Sequence, residues 1–304
     1  MSGLRTALVL TVIAVAIAAP ARARAEGAAH AEASKADGKR ARGPTVRSPA
    51  AVVLEADGGR EVWAKDADEV REIASMTKIF VALVLRQKRL PLDGWSTIGA
   101  EDVAAAEGGA RTRLPEGETF RNRDLLKAML MVSDNRAPTA LARAVGLDRD
   151  GLVDAMNDYA AALGLTHTRF QDPTGILPNV STPRELARAL AVVLKDDVLA
   201  KLMRLTHVRI VSKAGTAKVE YRTTVKPLYE KVYKVRGGKT GHTEAAGYCL
   251  LVSAEIDGTA YVMAFLGGKK KTTRFDDFGQ VANWLDLADG TSSARGGKRA
   301  AAAE

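Results

Sequence analysis

A single cysteine in 304 residues, Cys249, has no partner for an internal disulfide, so the fold must be held by its apolar core. Cys249 lies inside the apolar run AAGYCLLVSA and reads as a small packing residue. Four scattered histidines offer no metal-ligand spacing, and neither zinc nor redox chemistry is indicated, so no metal and no cofactor are expected. Aromatics make up only 5% of the chain and do not interleave with its basic runs; the net charge of +9 therefore does not read as nucleic-acid recognition. GKRAR (38–42) and KKK (269–271) read instead as solvated charge runs. The N-terminal apolar run, Ala7 to Ala19, is too short for a comfortable membrane span.

That run follows Arg5 and precedes alanine-spaced sites at Ala23 and Ala25, the layout of a secretory signal over residues 1–25. Neither a twin arginine nor a lipid-accepting cysteine accompanies it. Export to the periplasm or the exterior is expected, with no stable membrane anchor after cleavage. Cleavage would remove three arginines and no acids, leaving +6. A basic exported protein suits an anionic envelope polymer better than nucleic acid.

Residues 26–47 and 290–304 are polar, Ala/Gly-rich and aperiodic, and are expected to be a disordered linker and tail. The body, 48–289, opens with AVVLEADGGREVWAKD, a hairpin around Asp57-Gly58-Gly59. Helical text follows: one helix from Ser75 to Leu85, a second capped by Asn122 before LLKAMLM, a third started by Pro138, and a fourth ending at Gly164. Thr182-Pro-Arg-Glu185 reads as a capping box. Strand character returns from HVRIVSK to TAYVMAFLGG, with a hairpin turn at Asp257-Gly258, before a last helix that carries Phe275, Phe278, Val281, Trp284 and Leu285 on one face. Strands at both ends and helices between predict a two-lobed α/β body. One antiparallel sheet would be built from both chain ends, flanked by helices, with a helical lobe inserted and a cleft where the lobes meet.

Three short motifs carry chemistry. Ser75-Met76-Thr77-Lys78 puts a hydroxyl and an amine on one helical face. A serine attacks only once a base takes its proton, and lysine is that base only if its pKa is depressed by apolar surroundings, the positive helix end or a second cation. The same text also fits a serine cap followed by a surface lysine. Ser133-Asp134-Asn135 ends a helix; it fits a plain break, or a proton relay at Ser133 with the Asn135 amide on substrate. Gly237-Gly238-Lys239-Thr240-Gly241-His242 fits a β-bulge or turn. Functionally, Lys239 would be the second cation and Thr240 a hydroxyl for a substrate carboxylate, while the backbone N–H groups of Ser75 and His242 would form an oxyanion hole.

SxxK, SxN and KTG in this order, each in a fitting context, form the set shared by penicillin-binding proteins and class A β-lactamases. With GLTHTRFQDPTGILPNVST, GGKTGHTEAAGYCLLVSAEIDGT and TRFDDF, the chain resembles the low-molecular-mass penicillin-binding proteins, the D-alanyl-D-alanine carboxypeptidase and endopeptidase family, with a β-lactamase/transpeptidase-like fold. The resemblance implies a serine DD-peptidase acting on peptidoglycan stem peptides and acylated by β-lactam antibiotics. Ser75 would be the acylated nucleophile, Lys78 its base, and Ser133 and Asn135 the relay and clamp. Lys239, Thr240 and Gly241 would line the site, and Arg274 would help hold the terminal carboxylate. The chain departs from the family in reading YRTTVKPLYEKVY where an Asn-rich stretch is common, which puts the contact there in question. Its polar end and SDNRA resemble the shorter endopeptidase members. Two other readings share the motifs. A class A-like β-lactamase would need a water-positioning glutamate between the second and third motifs, yet 166–182 has none. A silent peptidoglycan-binding module would have lost Ser75 or Lys78.

Overall fold

A computed structural model describes residues 43–110 and 112–288. The expected signal peptide, most of the linker and the tail lie outside the described residues. In chain order the elements are β1 (Ala50–Glu55), β2 (Glu61–Lys65), β3 (Arg71–Glu72), a 3₁₀ turn (Ala74–Thr77), α1 (Lys78–Gln87), β4 (Trp95–Thr97), α2 (Ala100–Ala105) and β5 (Thr119–Arg121). There follow α3 (Asn122–Val132), α4 (Ala137–Arg143), α5 (Arg149–Ala162), β6 (Val180–Ser181), α6 (Pro183–Val193) and α7 (Asp197–Met203). The chain closes with β7 (His207–Val211), β8 (Lys218–Arg222), α8 (Pro227–Glu230), β9 (Lys234–Thr243), β10 (Gly247–Ile256), β11 (Thr259–Gly268) and α9 (Thr273–Ala288).

The main sheet is antiparallel in the order β2-β1-β11-β10-β9, so the first strands join the last ones, as expected. Period-2 alternation splits its side chains between two cores. Ala51, Val53, Leu250, Val252, Met263 and Phe265 pack with Phe278, Val281, Trp284 and Leu285 of α9. Val52, Leu54, Leu251, Ala264 and Leu266 face the other way, onto α1, α6 and the helical lobe. Because both faces are covered, the strands read as continuous apolar runs. The β10–β11 turn places Asp257 (φ 47°) and Gly258 (φ 81°) in the left-handed region, as a two-residue hairpin requires.

Four local expectations are corrected. The Ser75 helix is a 3₁₀ turn that becomes α-helical only at Lys78. Asn122 does not cap α3; its amide accepts from Ser96 Oγ at 2.7 Å and donates to the Pro91 carbonyl at 2.8 Å. Thr182 caps α6 by accepting from the Glu185 N–H at 3.1 Å, but the Glu185 carboxylate turns to the His167 N–H and Thr168 Oγ1 instead of closing the box. The body also starts before residue 48, because the Asp277 carboxylate accepts from the backbone N–H groups of Arg47 and Ser48, both at 2.8 Å. Strands β7 and β8 form a ribbon of their own outside the main sheet.

Candidate active site

The tight turn before α1 sets the first pair. In a 3₁₀ turn, side chains three apart eclipse, so Ser75 and Lys78 align more closely than on an α-helix. Lys78 Nζ lies 3.1 Å from Ser75 Oγ, 2.7 Å from Asn135 Oδ1 and 2.5 Å from the Thr174 carbonyl oxygen. Lys78 is fully buried. From Ile79 to Leu85 every side chain of α1 is in the core, which holds the lysine stem rigidly. Burial pushes the Lys78 amine down to about 7, opposed by the carboxylates of Asp172 and Asp134. A neutral amine has two N–H donors and one lone pair. Here two neighbours are carbonyl oxygens that can only accept, so the lone pair is left for the Ser75 hydroxyl.

The second motif is aimed by its own middle residue. Helix α3 ends at Ser133 in the left-handed conformation (φ 67°), and Asp134 turns inward. The Asp134 carboxylate accepts from the Arg113 N–H at 2.9 Å, the Arg136 N–H at 3.1 Å and the Tyr221 hydroxyl at 3.3 Å. This anchor leaves Ser133 and Asn135 on the cleft side. Burial raises the Asp134 pKa, and the two backbone N–H groups oppose that.

Strand β9 brings the third motif. Lys239 Nζ donates to Ser133 Oγ at 3.0 Å and to the Thr240 carbonyl at 2.8 Å. Lys239 is fully buried and held well below the ordinary lysine range, by burial first and then by the Lys78 and Arg274 charges. The expected second cation is thus itself depressed, and burial is the main cause acting on Lys78. Thr240 Oγ1 meets Thr224 Oγ1 at 2.5 Å, so a hydroxyl from YRTTV occupies the stretch where the family pattern was missing. A Cβ on Gly241 would sit 3.2 Å from the Ser75 nitrogen and 3.0 Å from the Ile73 carbonyl; the glycine lets β9 run beside the Ser75 N–H without the few tenths of an ångström of shift that a side chain would demand. Arg274 lies behind the strand. Its Nη1 donates to the Gly241 carbonyl at 2.9 Å and the Cys249 carbonyl at 3.1 Å, which braces β9 against β10.

Ser75, Lys78, Ser133, Asn135, Lys239, Thr240 and Gly241 are therefore brought together at one site; His242 follows Gly241 on β9 with its ring stacked on Tyr248, and Arg274 is set behind the strand. The Thr174 carbonyl was not predicted. It is held by Asp172, whose carboxylate accepts from the Thr174 N–H at 2.9 Å, from the Gly175 N–H at 3.1 Å and from the Thr174 hydroxyl. Asn179 ties this loop to the catalytic turn, donating to Thr77 Oγ1 at 2.9 Å and to the Asp172 carbonyl at 2.8 Å. Gly175 (φ 82°) packs on that turn so closely that a Cβ would lie 2.0 Å from the Ala74 carbonyl oxygen. QDPTG reads as turn text and lies in a segment that carries the family resemblance, but neither signal says where a carbonyl points.

Comparison with known proteins agrees with this geometry. The model of the D-alanyl-D-alanine carboxypeptidase family matches residues 37–270. The chain is 30% identical over 248 residues to the D-alanyl-D-alanine endopeptidase of Pseudomonas aeruginosa, covering 81% of this chain and 80% of that protein. It is 28% identical to the D-alanyl-D-alanine endopeptidase of Escherichia coli, over 85% of this chain and 84% of the other. Among solved structures it superposes on the Streptomyces K15 DD-transpeptidase with a TM-score of 0.74 at 26% identity, covering 80% of this chain and 98% of that one. The antiparallel sheet, the serine beside its buried lysine and the three motifs brought together thus sit on a matched family core, and the chain belongs to the D-alanyl-D-alanine carboxypeptidase family of serine peptidases.

Proposed function

We propose that the protein is a serine DD-peptidase that cleaves after D-alanine in peptidoglycan stem peptides through an acyl-enzyme on Ser75. The observation that carries this reading is the Lys78 amine, buried and lowered to about 7, with Ser75 Oγ at 3.1 Å and its two N–H donors already directed to Asn135 and Thr174. The Ser75 proton passes to Lys78 Nζ as Oγ bonds to the substrate carbonyl carbon. The developing oxyanion is met by the N–H groups of Ser75 and His242. Lys239 donates to Ser133 Oγ, which frees the Ser133 proton for the leaving amine as the C–N bond breaks, and the proton held by Lys78 returns to the Ser133 oxygen, so that the Lys78 amine is neutral again. Throughout acylation Thr240 holds the terminal carboxylate, with Arg274 fixing the strand that carries it. Water hydrolyses the ester with Lys78 again as base.

β-Lactams acylate the same serine. The stretch 166–185 contains two acids, and both are engaged: Asp172 by its own loop, Glu185 by His167 and Thr168. Neither is free to activate a deacylating water, which favours a long-lived penicilloyl-enzyme over a β-lactamase. The catalytic domain spans the described body, and the signal-like N-terminus makes it an exported enzyme; no described helix is long and apolar enough to cross a membrane. Labelling of the wild type by a fluorescent penicillin, lost in Ser75→Ala, tests the nucleophile. Digestion of a pentapeptide and of a cross-linked dimer separates carboxypeptidase from endopeptidase action, and a labelled protein that cleaves neither would refute the peptidase reading.

A further inference from the structure

Residues 201–240 hold eleven of the 45 lysines and arginines but only two of the 36 acids, so this stretch alone carries +9 and the rest of the chain balances at zero. Ten of the eleven cations are exposed, Lys239 in the cleft being the exception. Among the described residues only two of the ten form ion pairs, Lys226 with Glu230 at 2.6 Å and Lys234 with Glu255 at 2.8 Å. An unneutralised surface of this kind is not a by-product of packing, because like charges gathered together repel.

The β7–β8 ribbon shows how it is displayed. Its inward residues Ile210, Val219 and Tyr221 are buried, and its outward ones include Arg209, Lys218 and Arg222. The register sets Arg222 across from His207 and Lys218 across from Val211. Acids near this face are Glu220, directly across from Arg209, and Glu118, which accepts from the Thr216 hydroxyl at the ribbon's turn. The inward side belongs to the cleft: Tyr221 donates to Asp134, and Thr224, two residues past Arg222, meets Thr240. The cationic face and the catalytic wall are therefore two sides of one ribbon.

The chemistry of the surface selects its partner. The exposed Tyr229 lies under Arg222 at 5.0 Å, and Trp95 is engaged by Arg121 at 4.6 Å and Lys213 at 5.6 Å. Among the described residues of this face both exposed aromatics are already engaged by cations, so the face offers charge to a flexible polyanion more than stacking to a nucleic acid. We infer that the outer face of the β7–β8 ribbon is a docking surface for the carboxylate-bearing strands of polymeric peptidoglycan, separate from the catalytic groups, which holds the polymer at the mouth of the cleft. This rests on the peptidoglycan reading of the active site.

The test uses the full chain with Arg209→Glu, Lys218→Glu and Arg222→Glu combined, and a control with Lys88→Glu, Arg89→Glu and Arg188→Glu, which changes net charge equally on other exposed positions. Binding to purified sacculi and release of product from them should fall about tenfold or more in the ribbon variant at ~0.1 M salt. The gap should close to within about twofold at ~0.5 M, where screening shortens the reach of each charge. Penicillin labelling and hydrolysis of a small soluble pentapeptide should be unchanged, which also shows that the variant is folded; the corresponding triple glutamine variant replaces one that does not label. Undiminished sacculus binding, or an equal loss in the control, would overturn the inference. So would a ribbon variant that loses binding to DNA or to a polyphosphate wall polymer while keeping sacculi. Failure of the wild type on soluble peptide would instead count against the catalytic reading, since sacculus binding is measured apart from cleavage.

Discussion

The two buried lysines stand in contrasting regions of one cleft. Lys78 has three oxygen neighbours within 3.1 Å and two carboxylates, Asp172 and Asp134, that pull its pKa back up against burial. Lys239 has the Ser133 hydroxyl and one carbonyl, and the charges acting on it are both cations, Lys78 and Arg274. The same side chain is thus poised near neutrality in one place and pushed further down in the other. The difference assigns the proton-taking role to Lys78 and leaves Lys239 to wait for an anion. Replacement should separate them: Lys78→Met is expected to slow penicillin acylation by about 10⁴-fold, the upper range for a general base. Lys239→Met should cost about 10²-fold, the scale of one lost electrostatic contact. Equal losses would dissolve the contrast.

The Lys78 region depends on a carbonyl as much as on side chains. In Gly175→Val, the added atoms would collide with the Ala74 carbonyl, and the loop would carry the Thr174 oxygen off the amine. A misplacement of about 1 Å is enough for roughly 10²-fold in acylation rate. Penicillin labelling rates, with melting curves to show that the protein is folded, would measure it. A glycine-to-valine change without kinetic effect would mean that Thr174 does not orient Lys78.

Protonation gives a further separation. Acylation should rise with pH along an acid limb centred at about 7 and flatten above it, where an unperturbed lysine would place the limb near 10.5. The sign for stability is the same. Both lysines bind protons more weakly folded than unfolded, so the unfolded chain holds more protons between about 7 and 10.5, and stability increases with pH across that window. The cost of the buried charges is greatest at and below pH 7. Urea midpoints at pH 6.5 and 9.5 should therefore climb for the wild type and climb less for Lys78→Met.

Much of this was legible in the sequence, and what was not has a common physical reason. Ser75, Lys78, Ser133, Asn135, Lys239 and Thr240 act through side chains whose types and spacing are written in the chain. The joining of β1 to β11 followed from strand text at both ends. The Thr174 carbonyl was invisible because any residue has one; only Asp172, Asn179 and the bare Cα of Gly175 determine where it points. Apolar surroundings, the helix end and a second cation were all open as causes of the Lys78 shift, and the sequence could not rank them for a similar reason. A second cation can be read from KTG, whereas burial depends on how distant elements pack. Asn122 and Glu185 looked like helix caps by position, but each found a partner far along the chain, Asn122 at Ser96 and Glu185 at His167 and Thr168.

The smallest expected signal probes Lys239 directly. Its charge is opposed by burial and by the Lys78 and Arg274 cations. A substrate carboxylate arriving at Thr240, one residue away, reverses that balance and raises its proton affinity. Binding of a D-Ala-D-Ala peptide to Ser75→Ala near pH 8 should therefore take up a proton, at most about one per site. Calorimetry in buffers of different ionisation enthalpy would show it as a slope in the observed heat. The slope should vanish in Ser75→Ala combined with Lys239→Met, and for a peptide whose terminal carboxylate is amidated. If the amidated peptide gives the same slope, the proton is going to Lys78, and the two regions differ in geometry alone. If no ligand gives a slope, the arriving carboxylate leaves the protonation of Lys239 unchanged, and its assignment as the group that answers the substrate anion fails.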